Sequence, residues 1–219
     1  MHLLHRGTAP ACLTHYHHGQ HNWAKETPTD QERTEIRTQL DAMQGGRCAY
    51  CECKLKQHVQ HIEHFRQRGR YPEGTFAWDN LFLSCDRKDS CGKHKDKCGF
   101  YNYTDLIKPD GEDPEHYFLF GQYGTISLRQ GLNSQETHRA DETLRILNLD
   151  AKRGPLRQIR KVACIGYVET AEAFQEMADH YTQEQWWPML EEELETIRHL
   201  PFCTAIKHTL LPAGPFPNS

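Results

Sequence analysis

The feature that most restricts the fold of this chain is a set of four cysteines: Cys48, Cys51, Cys85 and Cys91. The first two are separated by two residues, a spacing that lets a tight turn direct both thiolates at one Zn²⁺, and the other two form a second pair after a long insert. A structural zinc site contributes on the order of 10 kcal/mol to folding, enough to hold together a small module with little apolar core. The cysteines therefore predict a module that is stabilised by zinc.

The second cysteine pair leaves alternatives open, because Cys85 and Cys91 are separated by five residues where two is commoner. Cys53 and Cys98 are therefore alternative zinc ligands. A disulfide-rich secreted protein is a further interpretation. The chain has nine cysteines, an odd number, and its start, MHLLHRGTAPACL, lacks the apolar run of a signal peptide, so we favour zinc and a cytoplasmic location.

Between the cysteine pairs lies HIEHF, residues 61–65, whose alternating apolar residues predict a strand. We expect Glu63 to bind Mg²⁺ or Mn²⁺ through its carboxylate, and His64 to take a proton from an attacking water as a neutral imidazole. Consecutive side chains of a strand point to opposite faces, so a shared site requires a bend or a metal approached from the strand edge. His61 is one of fifteen histidines, and we expect it to be structural.

Asn80 is the polar residue left over among the packing residues of FAWDNLFLSC, residues 76–85. We expect its side chain to hydrogen-bond across a hairpin and to fix the orientation of the His64 imidazole. The alternative is a turn-forming asparagine without a chemical role, because Asp-Asn pairs are common in loops.

His94 lies in SCGKHKDKCGF, residues 90–100, which predicts a helix that begins just after Cys91. On that helix, His94 would approach the cation from the side opposite Glu63. The alternative is a solvated histidine in a charged run.

The charge of the chain is unevenly distributed. The formal net charge is -4, yet residues 54–98 contain 10 Lys or Arg against 6 Asp or Glu, a local net charge of +4. A basic patch around the predicted site attracts phosphates, and a solvated charged surface is the alternative. No apolar run approaches the roughly 18 residues that span a membrane. The predicted nucleic-acid-binding residues are Arg66, Arg68, Arg70, Lys93 and Lys95.

Taken together, these motifs resemble the HNH endonucleases, and in particular the PtuB-type nucleases of Septu and retron anti-phage systems. The shared segments are CAYCE at 48–52, IEHF at 62–65, WDNLFLSC at 78–85 and CGKHK at 91–95. The stretch ADETLRILNLD, followed by LRQIRK, is similar to the trailing helical region of that family, so the resemblance covers most of the chain.

The resemblance implies a ββα-metal module with His64 as general base, Asn80 as its orienting partner, and Glu63 and His94 as ligands of the catalytic cation. Two residues depart from the common HNH pattern. Glu63 stands where many relatives have Asp, which keeps the carboxylate but lengthens its reach. Gly92 directly follows the last zinc cysteine, where many HNH proteins place His or Asn.

The resemblance also implies an activity and partners. The expected activity is metal-dependent hydrolysis of phosphodiester bonds in DNA, or else in tRNA, by the toxin-like effector of an antiviral defence system. The expected partners are a PtuA-type ATPase subunit and, in retron versions, a reverse transcriptase with its multicopy single-stranded DNA. The alternative is a catalytically inactive zinc-ribbon subunit that binds nucleic acid or protein, which would have no need of all four site residues.

The fold class that we predict is α+β, with a ββα-metal module and its structural zinc embedded in a mainly helical domain. The predicted divisions are an N-terminal helical segment at 1–47, the nuclease module at 48–102 and a helical, partner-docking region at 103–219. Helical periodicity and capping residues predict helices from Thr29 or Asp30 to about Gln44, and over 136–149, 155–181 and 184–200, with a short hairpin in HYFLFGQYGTISL.

Overall fold

The computed structural model describes residues 1–152 and 154–211. Two compact units divide the chain: one contains Met1–Tyr117 and Leu132–Leu149, and the other contains Phe118–Gly131 and Asp150–Ser219. The structure is a mixture of helices and two small sheets, so the predicted α+β class is confirmed. Within the described residues, no helix is both long and apolar enough to cross a membrane.

Helix α1 of the first unit comprises Asp30–Gln44, as its sequence predicts. It begins at a capping box, in which the Thr29 side chain accepts a hydrogen bond from the Glu32 N–H and the Glu32 carboxylate accepts one from the Thr29 N–H. Ile36 and Leu40, four residues apart on one face, are fully buried. This face anchors α1 to the strands that follow.

Strands β1 (Gln60–His64) and β2 (Leu81–Cys85) form an antiparallel pair in which Glu63 lies opposite Phe82. All residues of β2 are buried. The Ile62 side chain packs towards α1, so alternation places the side chains of the odd-numbered β1 residues on the other face. The core between α1 and the strands consists of Cys12, Leu13, Ile36, Leu40, Leu81 and Leu83.

Helix α2 is a single short turn of helix, Cys91–Lys95, which begins where the sequence predicts. Helix α3, Ser134–Leu147, packs against it and starts at a second capping box, formed by Asn133 and Glu136. The hydrogen bond from Asn148 Nδ2 to the Asp89 carbonyl, 2.7 Å long, ties the end of α3 to the loop before α2.

The predicted boundary after residue 102 lies inside the first unit, because the chain beyond α2 binds to α3. The Ile107 N–H donates to Thr143 Oγ1 at 2.8 Å, and the guanidinium of Arg139 is paired with Glu112. The segment up to Tyr117 therefore belongs to the same unit as the cysteine module.

The second unit contains the predicted hairpin, formed by β3 (Phe118–Phe120) and β4 (Ile126–Leu128). Its turn includes Gly124 at φ 76°, where a side chain would overlap with the Arg157 carbonyl. The helices of this unit are α4 (Pro155–Ile165), α5 (Val168–His180), α6 (Gln183–Ile197) and α7 (Cys203–Leu210). Their core consists of Phe174, Leu190, Ile197, Ile206, Leu210 and Leu211.

The structure corrects one prediction for this unit and adds one helix. The single helix expected over 155–181 is interrupted at Tyr167, whose φ of -116° and ψ of 3° leave the helical region while its ring packs on the core. Helix α7 was not predicted, because its eight residues are too few for a clear periodic pattern. Residues 153 and 212–219 of the predicted C-terminal region lie outside the described residues.

The remaining short elements are 3₁₀ helices. They comprise Ala11–His15, Pro72–Gly74, Trp78–Asn80, Tyr103–Asp105 and Pro114–His116.

Candidate active site and metal centre

The four predicted cysteines form one buried cluster in the first unit. The sulfur atoms of Cys48, Cys51, Cys85 and Cys91 all lie within 4.8 Å of one another. Zn–S bonds of about 2.3 Å in a tetrahedron place sulfurs roughly 3.8 Å apart, and Cys51 and Cys85 are separated by 3.9 Å. The residues therefore fit a structural zinc ion, as predicted.

The pKa values of the cluster thiols move in opposite directions, and hydrogen bonding to Cys48 raises those of Cys51 and Cys91 well above the ordinary value. Burial alone would raise the pKa of the Cys48 thiol, yet hydrogen bonds from the neighbouring thiols lower it well below its ordinary value. The Cys85 N–H also donates to Cys48 Sγ at 3.4 Å. Of the two alternative ligands, Cys98 lies elsewhere, with its sulfur 3.5 Å from His94 Nδ1. Cys53 is not among the four sulfurs that all lie within 4.8 Å of one another, but its thiol borders the cluster and hydrogen-bonds with Cys48, Cys51 and Cys85.

His61 and Glu63 lie side by side on one face of β1. Their side chains alternate onto the same face, so that His61 Nε2 is 3.1 Å from Glu63 Oε2. The other carboxylate oxygen, Oε1, is 2.8 Å from Lys95 Nζ of α2, and both partners of this ion pair are buried. The His61 ring is also held by Asp86, with Nδ1 2.7 Å from Oδ1. The expectation that His61 has no part in the site is not supported by this position.

The ionisation states of Glu63 and Lys95 follow from their ion pair. Burial alone would raise the pKa of Glu63, but Lys95 and His61 lower it below its ordinary value. Burial alone would lower the pKa of Lys95, and Glu63 raises it instead. Both pKa values shift in the direction that an ion pair produces, so Glu63 is a carboxylate at neutral pH.

His64, at the end of β1, is buried and neutral. Its Nε2 is 3.0 Å from the Thr75 carbonyl, which only accepts, so Nε2 carries the proton and Nδ1 keeps the lone pair. The Trp23 indole also packs perpendicular to the His64 ring, with 4.6 Å between the ring centroids. Burial lowers the pKa of His64 to about 4, and the charge of Arg68 adds to that effect.

Asn80 positions a loop and does not contact the His64 ring. Its Oδ1 accepts from the Arg66 N–H at 2.6 Å, and its Nδ2 donates to the carbonyls of Arg66 and Gly74. The next residue, Thr75, supplies the carbonyl that binds the His64 ring. The predicted bond across the hairpin is present, but its effect on His64 is indirect.

His94 does not approach Glu63, contrary to the prediction. Its Nδ1 donates to the Ile146 carbonyl of α3 at 2.9 Å. The reason is geometric: Gly92 faces Glu63, and a residue two positions later on a helix lies about 200° further round. The side chain at residue 94 is thereby directed at α3.

A cleft of about 790 Å³ opens over β1 and is lined by His61, Glu63 and His64. Five cationic side chains from three segments also line it: Arg33, Arg37, Arg68, Arg70 and Lys93. Such a wall attracts phosphate groups.

Three of the five predicted nucleic-acid-binding residues, Arg68, Arg70 and Lys93, line the cleft. Arg66 instead pairs with Asp79 at 3.1 Å. Lys95, the fifth, does not line the cleft, because its side chain is 0% exposed and paired with Glu63.

Sequence reasoning missed Arg33 and Arg37 of α1, which contribute to the same wall. A signal was present, since four residues separate them and both therefore lie on one face of the predicted helix. What the sequence did not show was that this face borders the strand with the predicted site.

Comparisons with known proteins agree with the resemblance. No family model matches the chain. It is 26% identical over 141 residues to the "Retron Vc95 putative HNH endonuclease" of Vibrio cholerae serotype O1 biovar El Tor, an alignment that covers 61% of this chain and 66% of that protein. It is 30% identical over 91 residues to the Septu protein PtuB of Bacillus thuringiensis, which covers 40% of this chain and 34% of that protein. The predicted similarity to HNH proteins of Septu and retron defence systems is therefore confirmed.

Proposed function

We propose that this chain is a metal-dependent HNH endonuclease that hydrolyses phosphodiester bonds as the effector of an anti-phage defence system. The observation that carries the proposal is the pairing of a buried carboxylate, Glu63, with a neutral histidine, His64, at one end of a cleft whose wall is cationic. The name of the Vibrio cholerae relative supports the same activity, and the name of the Bacillus thuringiensis relative supports a place in a Septu system.

His64 is the general base of this proposal. Its neutral ring can accept a proton at Nδ1 from the attacking water, while the bond from Nε2–H to the Thr75 carbonyl holds the tautomer. Asn80 positions that carbonyl through its bonds to the loop. The arginines of the cleft hold the phosphates on either side of the bond that is cut.

Glu63 would hold the catalytic cation, Mg²⁺ or Mn²⁺, through Oε2, because Oε1 is engaged by Lys95. The cation supplies a Lewis acid that stabilises the charge developing on the phosphate and on the leaving oxygen. Zinc has a separate, structural role at Cys48, Cys51, Cys85 and Cys91.

DNA is the substrate that we favour. The alternative is tRNA or other RNA, because the phosphate contacts that the cleft offers suit both polymers. The partners that we propose are an ATPase subunit of the PtuA type and, in a retron setting, a reverse transcriptase with its multicopy single-stranded DNA. We assign partner docking to the helical region 103–219, where α4 exposes Val162 and Ile165 three residues apart. We place the complex in the cytoplasm, where thiols stay reduced.

The test is a cleavage assay of the wild type, His64→Ala and the control His199→Ala, a histidine exposed in the second unit. Substrates are plasmid DNA, single-stranded DNA and total tRNA, with Mn²⁺ or Mg²⁺, with chelator, and with the ATPase partner present or absent. We expect cutting that requires the metal, survives in His199→Ala and falls at least 100-fold in His64→Ala, the range of general-base contributions.

Equal cutting by the wild type and His64→Ala would remove His64 as the base. Binding of nucleic acid without cutting, in the presence of the partner, would instead favour the inactive zinc-ribbon subunit.

A further inference from the structure

The imidazole that the resemblance assigns to the catalytic cation is missing from the expected place. His94 is turned to α3, and the position after the last zinc cysteine is Gly92. Another histidine, His61, lies beside Glu63 instead.

The two side chains present ligand atoms to the same point. His61 Nε2 and Glu63 Oε2 are 3.1 Å apart, and both residues line the cleft. Ligand atoms that bind one cation at about 2.1 Å stand roughly 3 Å apart, so this separation fits a shared ion. The same face of β1 carries both residues, two positions apart, and the strand holds them in this arrangement.

Asp86 fixes the tautomer of His61 that such a site requires. A carboxylate only accepts, so the 2.7 Å contact with Asp86 Oδ1 places a proton on His61 Nδ1. In a neutral ring, Nε2 then has only a lone pair, and it faces a Glu63 oxygen that also has only lone pairs. The contact is closed either by a second proton on the ring, which Nε2 then donates to Glu63, or by a cation that takes the place of that proton. The pattern of carboxylate, histidine and metal is common in metal sites.

Gly92 leaves room for the His61 ring. A Cβ on residue 92 would lie 2.6 Å from Glu63 Cδ and 3.0 Å from His61 Nε2. The volume that a side chain at residue 92 would fill is therefore occupied by the His61 imidazole and the Glu63 carboxylate. Because Gly92 of α2 has no side chain, the His61 ring of β1 can lie beside the Glu63 carboxylate.

We propose that His61 Nε2 and Glu63 Oε2 together bind a divalent cation, with Asp86 as the residue that orients His61. An imidazole with a carboxylate suits Mn²⁺ and later transition metals better than Mg²⁺, which prefers oxygen ligands alone. The catalytic role of this cation rests on the proposed nuclease function, whereas its binding does not.

The test measures Mn²⁺ binding by the full chain, by titration calorimetry and by the loss of the free-ion paramagnetic resonance signal, with one structural zinc retained. The variants are His61→Ala, Glu63→Gln, Asp86→Asn and, as the matched control, His94→Ala. We expect affinity to fall at least 10-fold in the first three, the size that loss of an orienting partner produces, and to stay within twofold in His94→Ala. Circular dichroism and zinc content identify any variant that has failed to fold, in which case His61→Gln replaces His61→Ala.

Loss of Mn²⁺ binding in His94→Ala, with binding intact in His61→Ala, would overturn the inference. Binding that depends on His61 in a protein that never cuts nucleic acid would uphold the cation site and count against the nuclease function. Cutting with Mn²⁺ that survives in His61→Ala with unchanged affinity would uphold the nuclease function and reject this site.

Discussion

At the scale of single residues, the buried ion pair of Glu63 and Lys95 is the most consequential contact of the first unit. Charged side chains are rarely buried unless paired, and here both partners are at most 2% exposed. Lys95 Nζ also donates to the His64 carbonyl at 2.9 Å, so one ammonium group binds both residues at the end of β1. The pair therefore holds the carboxylate and the base in fixed relation.

Replacing Lys95 should destabilise the protein strongly. Lys95→Met leaves the Glu63 carboxylate buried without its partner, which typically costs about 3–5 kcal/mol. We expect the free energy of unfolding, measured by urea titration of the zinc-loaded protein, to fall by about that amount. The double variant Glu63→Gln with Lys95→Met should recover part of the loss, because it removes the buried charge.

The matched control is Lys56→Met, at an exposed lysine, for which we expect a change within about 0.5 kcal/mol. A Lys95→Met protein as stable as this control would show that the ion pair has little effect on stability.

At the scale of elements, α2 joins three parts of the site within five residues. Cys91 belongs to the cysteine cluster, Gly92 faces Glu63, His94 binds α3 and Lys95 pairs with Glu63. Gly92 and Lys95 are three residues apart and both meet Glu63, whereas Cys91 and His94 contact other neighbours.

The variant Gly92→Ala tests the close packing of residue 92 against Glu63. We expect it to favour the helix but to disturb the cation site. Helix propensity alone would stabilise the alanine variant by up to about 1 kcal/mol. The added Cβ would overlap with the Glu63 carboxylate, and we expect this contact to lower Mn²⁺ affinity and any cleavage at least 10-fold while zinc content is unchanged.

The control is Gly99→Ala, the same change outside the helix, where a Cβ meets nothing within 4 Å. If Gly92→Ala bound Mn²⁺ as well as Gly99→Ala does, the packing against Glu63 would be unimportant for the site.

The elements differ in how well their sequences predict them. Helix α1 was predictable because Thr29 and Glu32 form a capping box before a clear apolar face, and β1 because HIEHF alternates. The cysteine cluster followed from ligand spacing. The direction of His94 was not predictable, because a five-residue helix shows no period and its rotation is set by the contacts of its neighbours in space. The proximity of His61 to Glu63 was implicit in the two-residue repeat of the strand.

At the scale of the whole molecule, the net charge of -4 conceals a cationic cleft. Counting charges along the sequence located an excess of positive charge between residues 54 and 98. That count could not include Arg33 and Arg37, because they reach the cleft only through the packing of α1 on the strands. Local charge in the folded state, and not the total, governs attraction of a polyanion.

Salt dependence measures this contribution. In a His64→Ala background that prevents cutting, Arg37→Gln should weaken DNA binding and lower the slope of log affinity against log salt concentration by about one. The charge-matched control Lys152→Gln, exposed in the second unit, should leave that slope unchanged. Equal slopes for both variants would show that Arg37 does not contact phosphate.

The second cysteine pair is adjacent in sequence to residues of the proposed cation site. Cys85 is followed directly by Asp86, and Cys91 by Gly92, so each sulfur of the second pair is one peptide unit from a residue of the proposed cation site. An oxidant that withdraws these sulfurs from zinc would move Asp86 and Gly92 with them. Because zinc also stabilises the module, the cation site and the fold around it would be lost together, and cutting would end with the loss of zinc.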